Sequence, residues 1–326
     1  MEVEIRMNIL VTGGLGLIGH NVVKRLQDQG HVVSIMDTQT NYGIIPQDEI
    51  DYLVEERTKK INLAGYYKYD ICDSEKVSKV FNIEQPEIVI HMASFPRQKV
   101  VNANPALGSR TMSEGLLNLL EASNNYDVRK FIYISSSMVY GDFVDDVKED
   151  AICRPQGQYG IMKLAGEWLV KDYTRKTNLV HTIIRPSAVY GPLDVEDRVI
   201  SKFLLTAMRG QTIKVNGANE TLDFTYVEDA ADGIVAAALS NNTENKTYNI
   251  TKSHSVTLLE AAQMALKLVG RGTIVVNDRD PDFPSRGALN IDAARKDFGF
   301  DPKIDVPEGF NLYFNWLKSN TYFNLA

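Results

Sequence analysis

An apolar run followed by a glycine-rich turn stands near the N-terminus, in the stretch Met7-Asn8-Ile9-Leu10-Val11-Thr12-Gly13-Gly14-Leu15-Gly16-Leu17-Ile18-Gly19. The run from Met7 to Val11 predicts a buried strand, and the glycines predict a turn that opens a helix. Gly13 permits the tight turn, Gly16 lets backbone amides approach a pyrophosphate, and Gly19 allows the helix to pack closely on the strand. The spacing therefore predicts a dinucleotide-binding turn.

The residues that follow complete a strand–helix–strand unit. We expect an amphipathic helix to about Gln29, a stop at Gly30, and a second strand from His31 to Met36 that ends before Asp37. A carboxylate at the end of this strand accepts hydrogen bonds from a ribose 2′-hydroxyl and repels a 2′-phosphate. Asp37 therefore favours NAD over NADP.

Strand-like and helix-like runs alternate along the rest of the chain. Ile88 to His91, Phe131 to Ser135 and His181 to Arg185 are predicted strands with helices between them. This alternation predicts a doubly wound α/β fold with a parallel sheet. We expect the NAD-binding domain to comprise residues 1–186 and 222–251. A smaller C-terminal α/β substrate-binding domain is expected in residues 187–221 and 252–326.

Composition narrows the class of protein. A length of 326 residues with 44% hydrophobic content is ordinary for a globular chain of about two domains. The net charge of −7 argues against a broad nucleic-acid-binding surface. Cys72 and Cys153 are too few for a disulfide framework, and neither has further ligands at the spacing of a zinc site. No metal is therefore expected. The N-terminus carries the charged residues Glu2, Glu4 and Arg6, and the sequence has no apolar run of signal-peptide or membrane-spanning length. We therefore expect a cytoplasmic protein.

A hydroxyl cluster and a tyrosine–lysine pair stand in the middle of the chain. Ser135, Ser136 and Ser137 precede Tyr159, and Lys163 follows Tyr159 after four residues. Residues four apart share a helix face, so Lys163 can favour the phenolate of Tyr159, which otherwise forms only near pH ~10. A tyrosine that ionises near neutrality is a general base for a sugar or alcohol hydroxyl.

A second tyrosine–lysine pair, Tyr126 and Lys130, has the same spacing. It stands between a helical run that begins at Gly115 and the next strand, where we expect it to cap these elements and to be solvated. Surface pairs at this spacing are common, so spacing alone does not identify a catalytic pair. The serines and the glycine turn favour Tyr159 and Lys163.

Together these motifs resemble the extended short-chain dehydrogenase/reductase family, and especially its NAD-dependent nucleotide-sugar epimerase and dehydratase branch. The resemblance covers nearly the whole chain. Its further matches are His91-Met92-Ala93-Ser94, Asn118-Leu119-Leu120-Glu121-Ala122, Val139-Tyr140-Gly141, Arg185-Pro186, Val189-Tyr190-Gly191-Pro192 and Asp223-Phe224-Thr225-Tyr226-Val227-Glu228-Asp229.

The resemblance implies a role for each residue of the catalytic set. Ser136 would hydrogen-bond the oxygen that becomes a carbonyl, Tyr159 would accept the proton, and Lys163 would support Tyr159 and hold the nicotinamide ribose. The same resemblance places NAD along Gly13, Gly16, Leu17, Ile18, Gly19, Asp37, Asp70, Ile71, Met92, Ala93, Ser94, Tyr159, Lys163 and Pro186. An N-cap for a helix from about Ser74 is the alternative role for the segment that begins at Asp70.

On the substrate side, the chain departs from the family's pattern at three positions. Met112 and Ala188 replace asparagines, and Leu222 replaces an arginine. Because leucine cannot hold a diphosphate, either another cation takes over or the substrate is not a conventional nucleotide sugar. The expected substrate residues are Ser94, Arg97, Ser136, Ser137, Tyr159 and Arg286. Arg286 and Arg97 are the candidates to replace the missing arginine. Lys202, Arg198 and Arg209 could do similar work, and nothing in the sequence ranks these three.

The residues after Ser136 bear on the reaction. Dehydratases of the family carry an Asp-Glu pair there, whereas this chain has Ser137 and Met138, so we expect a nucleotide-sugar epimerase that inverts the 4-hydroxyl through a transient keto-sugar. A net dehydrogenase or reductase of a sugar or other small hydroxy or keto substrate stays open, and so does a non-catalytic dinucleotide sensor. Neither nucleic acid nor a membrane is expected as a partner. The resemblance implies a homodimer through the helices Pro105 to Asn125 and Gln158 to Thr177.

Overall fold

The computed structural model describes residues 6–43 and 45–323. Residues 1–5, which include Glu2 and Glu4, lie outside the described part of the chain, as do Ile44 and residues 324–326. The strands are β1 (Asn8–Thr12), β2 (Val32–Met36), β3 (Tyr66–Tyr67), β4 (Ile88–His91), β5 (Lys130–Ile134), β6 (Val180–Pro186), β7 (Val189–Tyr190), β8 (Thr212–Asn216), β9 (Thr221–Asp223), β10 (Thr225–Tyr226), β11 (Lys246–Ile250), β12 (Ser255–Thr257) and β13 (Thr273–Asn277).

The helices alternate with the strands through most of the chain. They are α1 (Leu17–Asp28), α2 (Gln47–Thr58), α3 (Ser74–Glu84), α4 (Gln98–Ala103), α5 (Pro105–Ser109), α6 (Gly115–Asn125), α7 (Gly157–Lys176), α8 (Val199–Met208), α9 (Val227–Leu239), α10 (Leu258–Val269), α11 (Asp292–Phe298) and α12 (Val306–Ser319). A π-helical turn at Arg110–Glu114 joins α5 to α6, and short 3₁₀ turns lie at Ser137–Val139 and Asn241–Thr243.

Seven strands form a central parallel sheet in the order β11-β6-β5-β4-β1-β2-β3. The chain runs outward from β1 through β2 to β3 on one side, and from β4 through β5 to β6 on the other, so the order reverses between β1 and β4. The strands are almost completely buried, as expected for a parallel sheet with helices on both faces. The predicted doubly wound α/β fold is confirmed.

The two faces of the sheet have separate cores because successive side chains of a strand point in opposite directions. Ile9 and Val11 of β1 pack with α1 and α9 on one face, whereas Leu10 packs with α3 and α6 on the other. A third hydrophobic cluster lies around α8, α10 and α12, and it includes Leu53 of α2. Helix α2 therefore links the glycine-turn side of the sheet to the second core.

The division of the chain into residues 1–186 with 222–251 and 187–221 with 252–326 stays a prediction. Ile291, Ala294 and Phe300, which fall in the second unit of that division, pack in the core of the central sheet together with α9. Side-chain packing therefore crosses the expected boundary around α11.

The described residues carry no helix that is long and apolar enough to cross a membrane. They also contain no group of three or more His, Cys, Asp or Glu side chains arranged to hold a metal ion. Cys72 and Cys153 are free thiols, and both side chains are at least partly buried.

Lys130 is buried, whereas the sequence predicts that it is solvated. It is the first residue of β5 and is fully buried. Its Nζ donates hydrogen bonds to the carbonyls of Ala237 (3.0 Å) and Ser240 (2.6 Å) and to Thr243 Oγ1 (2.7 Å). Burial lowers the pKa of Lys130 to about 8. The lysine caps the end of α9, while Tyr126 hydrogen-bonds a serine of α3, so this pair is structural.

We predict that Lys130→Met destabilises the fold without touching the cavity described below. Loss of the charged donor leaves the carboxyl end of α9 without its cap, which should lower the free energy of unfolding by about 2–3 kcal/mol in urea titrations. Lys246→Met is the control, because Lys246 is half exposed and pairs at the surface with Asp297. Equal stability of the two variants would contradict the capping role.

Candidate active site

A cavity of about 620 Å³ lies at the carboxyl edge of the central sheet. Parallel sheets bind ligands at this edge, where the strand order reverses. Every predicted site residue except Asp70 lines this cavity, namely Gly13, Gly16, Leu17, Ile18, Gly19, Asp37, Ile71, Met92, Ala93, Ser94, Arg97, Ser136, Ser137, Tyr159, Lys163, Pro186 and Arg286. The fold thus brings together residues from almost the whole length of the chain.

The glycine turn leaves no room for larger side chains. Gly13 has a φ of +71°, and a Cβ there would lie 2.7 Å from the amide nitrogen of Ala93. A Cβ on Gly19 would lie 2.2 Å from the carbonyl oxygen of Gly13, so α1 packs directly against the turn. Gly16 begins α1 without a side-chain cap, which leaves the first amides of the helix available for an anion. This cradle fits a dinucleotide pyrophosphate.

Asp37 closes the cradle at the end of β2. Its Oδ2 accepts a hydrogen bond from the amide of Leu15 (3.0 Å), and its Oδ1 accepts one from the amide of Gln39 (2.8 Å). Burial raises the pKa of Asp37, whereas these amide bonds and the charge of Arg57 oppose that shift. The carboxylate lines the cavity where a ribose would lie, and its selectivity for NAD stays a prediction.

The predicted contact of Asp70 with the cofactor stays a prediction. The Asp70 side chain is exposed, does not line the cavity, and accepts a hydrogen bond from the amide of Cys72 (2.9 Å). Asp73 caps α3 by accepting from the amide of Lys76 (3.0 Å). Local turn and cap hydrogen bonds therefore occupy both carboxylates, and only Ile71 of this segment's predicted residues reaches the cavity.

Ser136, Tyr159 and Lys163 converge in the cavity. Ser136 lies close enough to the Tyr159 hydroxyl to lower its pKa, and Ser136 Oγ accepts a hydrogen bond from the amide of Met138 (3.2 Å). Lys163 lies on the same face of α7, with its Nζ 5.8 Å from the centre of the Tyr159 ring. That Nζ donates a hydrogen bond to the carbonyl of Ile134 (2.8 Å), the last residue of β5.

Burial controls the electrostatics of this group. It raises the pKa of Tyr159, while the hydrogen bond from Ser136 and the charge of Arg198 oppose the shift. It also lowers the pKa of Lys163 to about 7, against the charge of Glu167. Lys163 is not among the groups that shift the pKa of Tyr159, and its support of the Tyr159 phenolate stays a prediction.

A buried ion pair ties α7, the helix that carries Tyr159 and Lys163, to the central sheet. Glu167 of α7 accepts two hydrogen bonds from Arg185 of β6, at 2.8 Å from Nε and 2.7 Å from Nη2. Ser135 Oγ donates to the same carboxylate (2.6 Å), and Arg185 also donates to the hydroxyl of Tyr140 (2.8 Å). Because removing one partner would leave a buried charge, this network strongly resists displacement of α7.

The cations named as candidates from the sequence have different surroundings. Arg97 is neutralised by Asp197, because it contacts both the carbonyl and the carboxylate of Asp197 at 2.9 Å. Arg286 lines the cavity, and its inaccessible Nε has no hydrogen-bond partner among the described residues. Arg209, which pairs with Glu196, and the exposed Lys202 both lie outside the cavity wall.

The three departures from the family's pattern are apolar contacts in the structure. Met112 lies in the π-helical turn and packs with Phe95 in a cluster that contacts Tyr159. Ala188, with a φ of +36°, and Leu222 both line the cavity. None of these side chains can bind a phosphate or a sugar hydroxyl.

Sequence reasoning missed two features of the cavity. Arg57 of α2 is buried and donates to the carbonyls of Leu15 (3.1 Å) and Leu193 (2.6 Å), so it ties the glycine turn to the loop before α8. The rings of Tyr42 and Phe95 pack with centroids 4.4 Å apart in the cavity wall. Both features join segments distant in sequence, and no local motif marks them.

Comparison with known proteins agrees with this geometry. The model of the NAD dependent epimerase/dehydratase family matches residues 9–251. The chain belongs to this family. The family assignment confirms the predicted resemblance and NAD as the cofactor.

Both branches of this epimerase/dehydratase family are similar to the chain. A putative UDP-glucose 4-epimerase of Methanocaldococcus jannaschii is 31% identical, with coverage of 96% of this chain and 99% of the relative. The human dTDP-D-glucose 4,6-dehydratase is 27% identical, with coverage of 96% and 90%. The crystal structure of the UDP-glucose 4-epimerase of Thermotoga maritima with UDP-glucose has a TM-score of 0.85 at 27% identity, over 96% and 99% of the two chains.

We predict that Asp37→Ala weakens the preference for NAD over NADP by at least about tenfold, because it removes the carboxylate that repels a 2′-phosphate. Dissociation constants of both dinucleotides, measured by calorimetry, give the ratio. Asp70→Ala is the matched control, since this carboxylate lies outside the cavity. If the ratio is unchanged in Asp37→Ala, another group selects the cofactor.

Proposed function

We propose that the chain is an NAD-dependent nucleotide-sugar epimerase that inverts the 4-hydroxyl of the sugar. The observation that carries this proposal is the enclosed group of Ser136, Tyr159 and Lys163 beside the dinucleotide cradle. It provides a base, a hydrogen-bond donor and a nearby ammonium in one cavity. Hydride transfer at a carbinol carbon requires such a set.

Each residue of the set has a distinct task. The Tyr159 phenolate takes the proton of the sugar hydroxyl, and Ser136 donates a hydrogen bond to the oxygen as it becomes a carbonyl. Lys163, held by the Ile134 carbonyl, supplies positive charge beside the phenolate. NAD, which the glycine turn and Asp37 would hold, would supply the hydride acceptor and donor together with the positive charge of its oxidised ring. Inversion of the hydroxyl requires that the keto-sugar turns over in the cavity before Tyr159 returns the proton to its oxygen.

The acids in the cavity favour epimerisation over dehydration. Elimination of water needs an acid to protonate the leaving hydroxyl. The residues after Ser136 are Ser137 and Met138, and neither of them is an acid. Among the described residues, the carboxylates that line the cavity are Asp37, Asp194 and Asp197. Two backbone amides bind Asp37, and cationic side chains surround Asp194 and Asp197. Burial raises the pKa of Asp194 against the charges of Arg198, Arg57 and Arg97. None of the three carboxylates is among the groups that shift the pKa of Tyr159, which supports epimerisation over elimination.

We predict that Tyr159→Phe lowers turnover about 10²–10⁴-fold, the usual contribution of a general base, while NAD affinity is kept. UDP-glucose is the first probe, and its 4-epimer is followed by NMR of the anomeric proton. Tyr126→Phe, from the structural tyrosine–lysine pair, is the matched control and should retain full activity.

The same assay separates the alternative reactions. We expect the 4-epimer to form without accumulation of absorbance at 340 nm. A rise in NADH in proportion to product would identify a dehydrogenase. Formation of a 4-keto-6-deoxy sugar from dTDP-glucose would identify a dehydratase. Full activity of Tyr159→Phe would contradict the assigned base.

We also propose a homodimer formed by the helices within Pro105 to Asn125 and Gln158 to Thr177. Large apolar side chains are exposed on these segments, and exposed apolar patches are typical of protein–protein interaction surfaces. They are Leu107, Leu117, Ile161 and Trp168, of which Trp168 is 64% exposed. Because α7 carries Tyr159 and Lys163, dimerisation would also support the catalytic helix.

We predict that the wild-type chain sediments as a dimer and that Ile161→Glu combined with Trp168→Glu gives a monomer, because two charges would enter the apolar contact. Val144→Glu is the control, since Val144 is 80% exposed and lies outside both segments. A wild-type monomer in analytical ultracentrifugation would contradict the proposed interface.

A further inference from the structure

Helix α2 packs in two hydrophobic cores and also lines the cavity. Leu53 is buried in the cluster around α8, α10 and α12, whereas Val54 packs against the core of the central sheet. Ile50, Val54 and Arg57 line the cavity. The helix is therefore placed to connect the cofactor side of the cavity with the segment that precedes α8.

Arg57 joins two backbone segments through its guanidinium group. It is buried, its Nη1 donates to the carbonyl of Leu15 (3.1 Å), and its Nη2 donates to the carbonyl of Leu193 (2.6 Å). The charges of Asp37 and Asp194 favour the protonated form of this group. Because a guanidinium is a rigid planar fork, it fixes the two carbonyls relative to each other.

The Leu15 peptide in the glycine turn is held from both sides. Its amide donates to Asp37 Oδ2 (3.0 Å), and its carbonyl accepts from Arg57. Since the peptide unit is planar, a fixed Leu15 carbonyl also fixes the plane of the Gly16 amide, where α1 begins. Arg57 therefore contributes to the direction in which the turn presents its amides to a pyrophosphate.

Arg57 also holds a strained turn in residues 191–198, named here the 191–198 loop. Leu193 has a φ of +69°, in the left-handed region that a leucine rarely adopts. Glu49 of α2 provides a second attachment, because it accepts a hydrogen bond from the amide of Glu196 (2.6 Å). The side chains of the loop that line the cavity are Asp194, Val195, Asp197 and Arg198.

We propose that Arg57 is a positioning residue that couples cofactor binding to substrate binding. When NAD is bound at the glycine turn, the Leu15 peptide is fixed, and Arg57 transmits this order to the 191–198 loop. A second ligand that meets an ordered loop loses less conformational entropy and binds more tightly. The coupling is reciprocal, because linkage requires each ligand to change the affinity for the other by the same factor. This inference rests on the proposed function in taking the second ligand to be a nucleotide sugar.

The test compares the wild type with Arg57→Lys and Leu53→Ala, by calorimetry of NAD with and without saturating UDP or dTDP. In the wild type, the nucleoside diphosphate should tighten NAD binding at least about fivefold, the lower end of the usual coupling between sites. Arg57→Lys keeps the charge but lacks the planar fork, so this ratio should fall below about twofold. Leu53→Ala is the matched control. It loosens the packing of α2 without removing either hydrogen bond of Arg57, so it should lower the urea midpoint and keep the wild-type ratio.

Hydrogen–deuterium exchange of the wild type gives a test that needs no variant. NAD added without a second ligand should slow exchange in the 191–198 loop, where the amides of Asp194 and Glu196 are hydrogen-bonded. In Arg57→Lys this protection should be lost, while protection of the glycine turn is kept. Exchange in the wild-type loop that does not respond to NAD would overturn the coupling, even if Arg57→Lys does not fold.

The outcomes separate this inference from the proposed function. An unchanged ratio in folded Arg57→Lys, or an equal loss in Leu53→Ala, would overturn the role of Arg57. Independent binding of NAD and a nucleoside diphosphate to the wild type would overturn the coupling and leave the proposed function intact. A wild type that binds neither UDP nor dTDP would contradict the proposed substrate, and the exchange measurement would still decide whether NAD orders the loop.

Discussion

The hydrogen bond from Lys163 to the carbonyl of Ile134, at 2.8 Å, fixes the geometry on which the rest of the site depends. It joins α7 to the carboxyl end of β5, and the serines begin at the next residue of the chain. Since Tyr159 lies one helical turn before Lys163, this hydrogen bond also positions Tyr159 opposite Ser136. One turn further along α7, the buried pair of Glu167 and Arg185 ties the same helix to β6. Helix α7 is thus attached to two neighbouring and largely buried strands of the central sheet, β5 and β6.

Burial disfavours both of the charged forms that the proposed chemistry needs. It raises the pKa of Tyr159 and lowers that of Lys163, so the protein alone disfavours both the phenolate and the ammonium. The charges that act against burial come from Arg198 for the tyrosine and from Glu167 for the lysine. Positive charge brought in by an oxidised dinucleotide would act in the same direction as Arg198. In the proposed mechanism, cofactor binding would thus favour proton transfer to Tyr159.

Features set by local sequence could be predicted, and features set by distant partners could not. The glycine turn, Asp37 at the end of β2 and the i,i+4 spacing of Tyr159 and Lys163 depend on neighbouring residues, and the structure places them as expected. Lys130 looked like half of a surface pair because its partners at Ala237 and Ser240 are more than one hundred residues away. The sequence makes Arg97 a candidate replacement for the missing arginine, and only the position of Asp197 shows that Arg97 is already paired. For Asp70, the sequence does not show that one carboxylate oxygen accepts a hydrogen bond from the amide of Cys72 in its own turn.

Turnover in D₂O tests most directly whether the hydrogen removed from the sugar stays inside the cavity. If Tyr159 exchanges only the hydroxyl proton and the carbon-bound hydrogen moves as a hydride that returns within the same turnover, the inverted carbon keeps its original hydrogen. Mass spectrometry and NMR of the sugar recovered from wild-type enzyme and UDP-glucose should then detect no carbon-bound deuterium. Incorporation of one deuterium at the inverted carbon with each inversion would show that the hydrogen leaves as a proton, and would contradict the hydride-transfer mechanism.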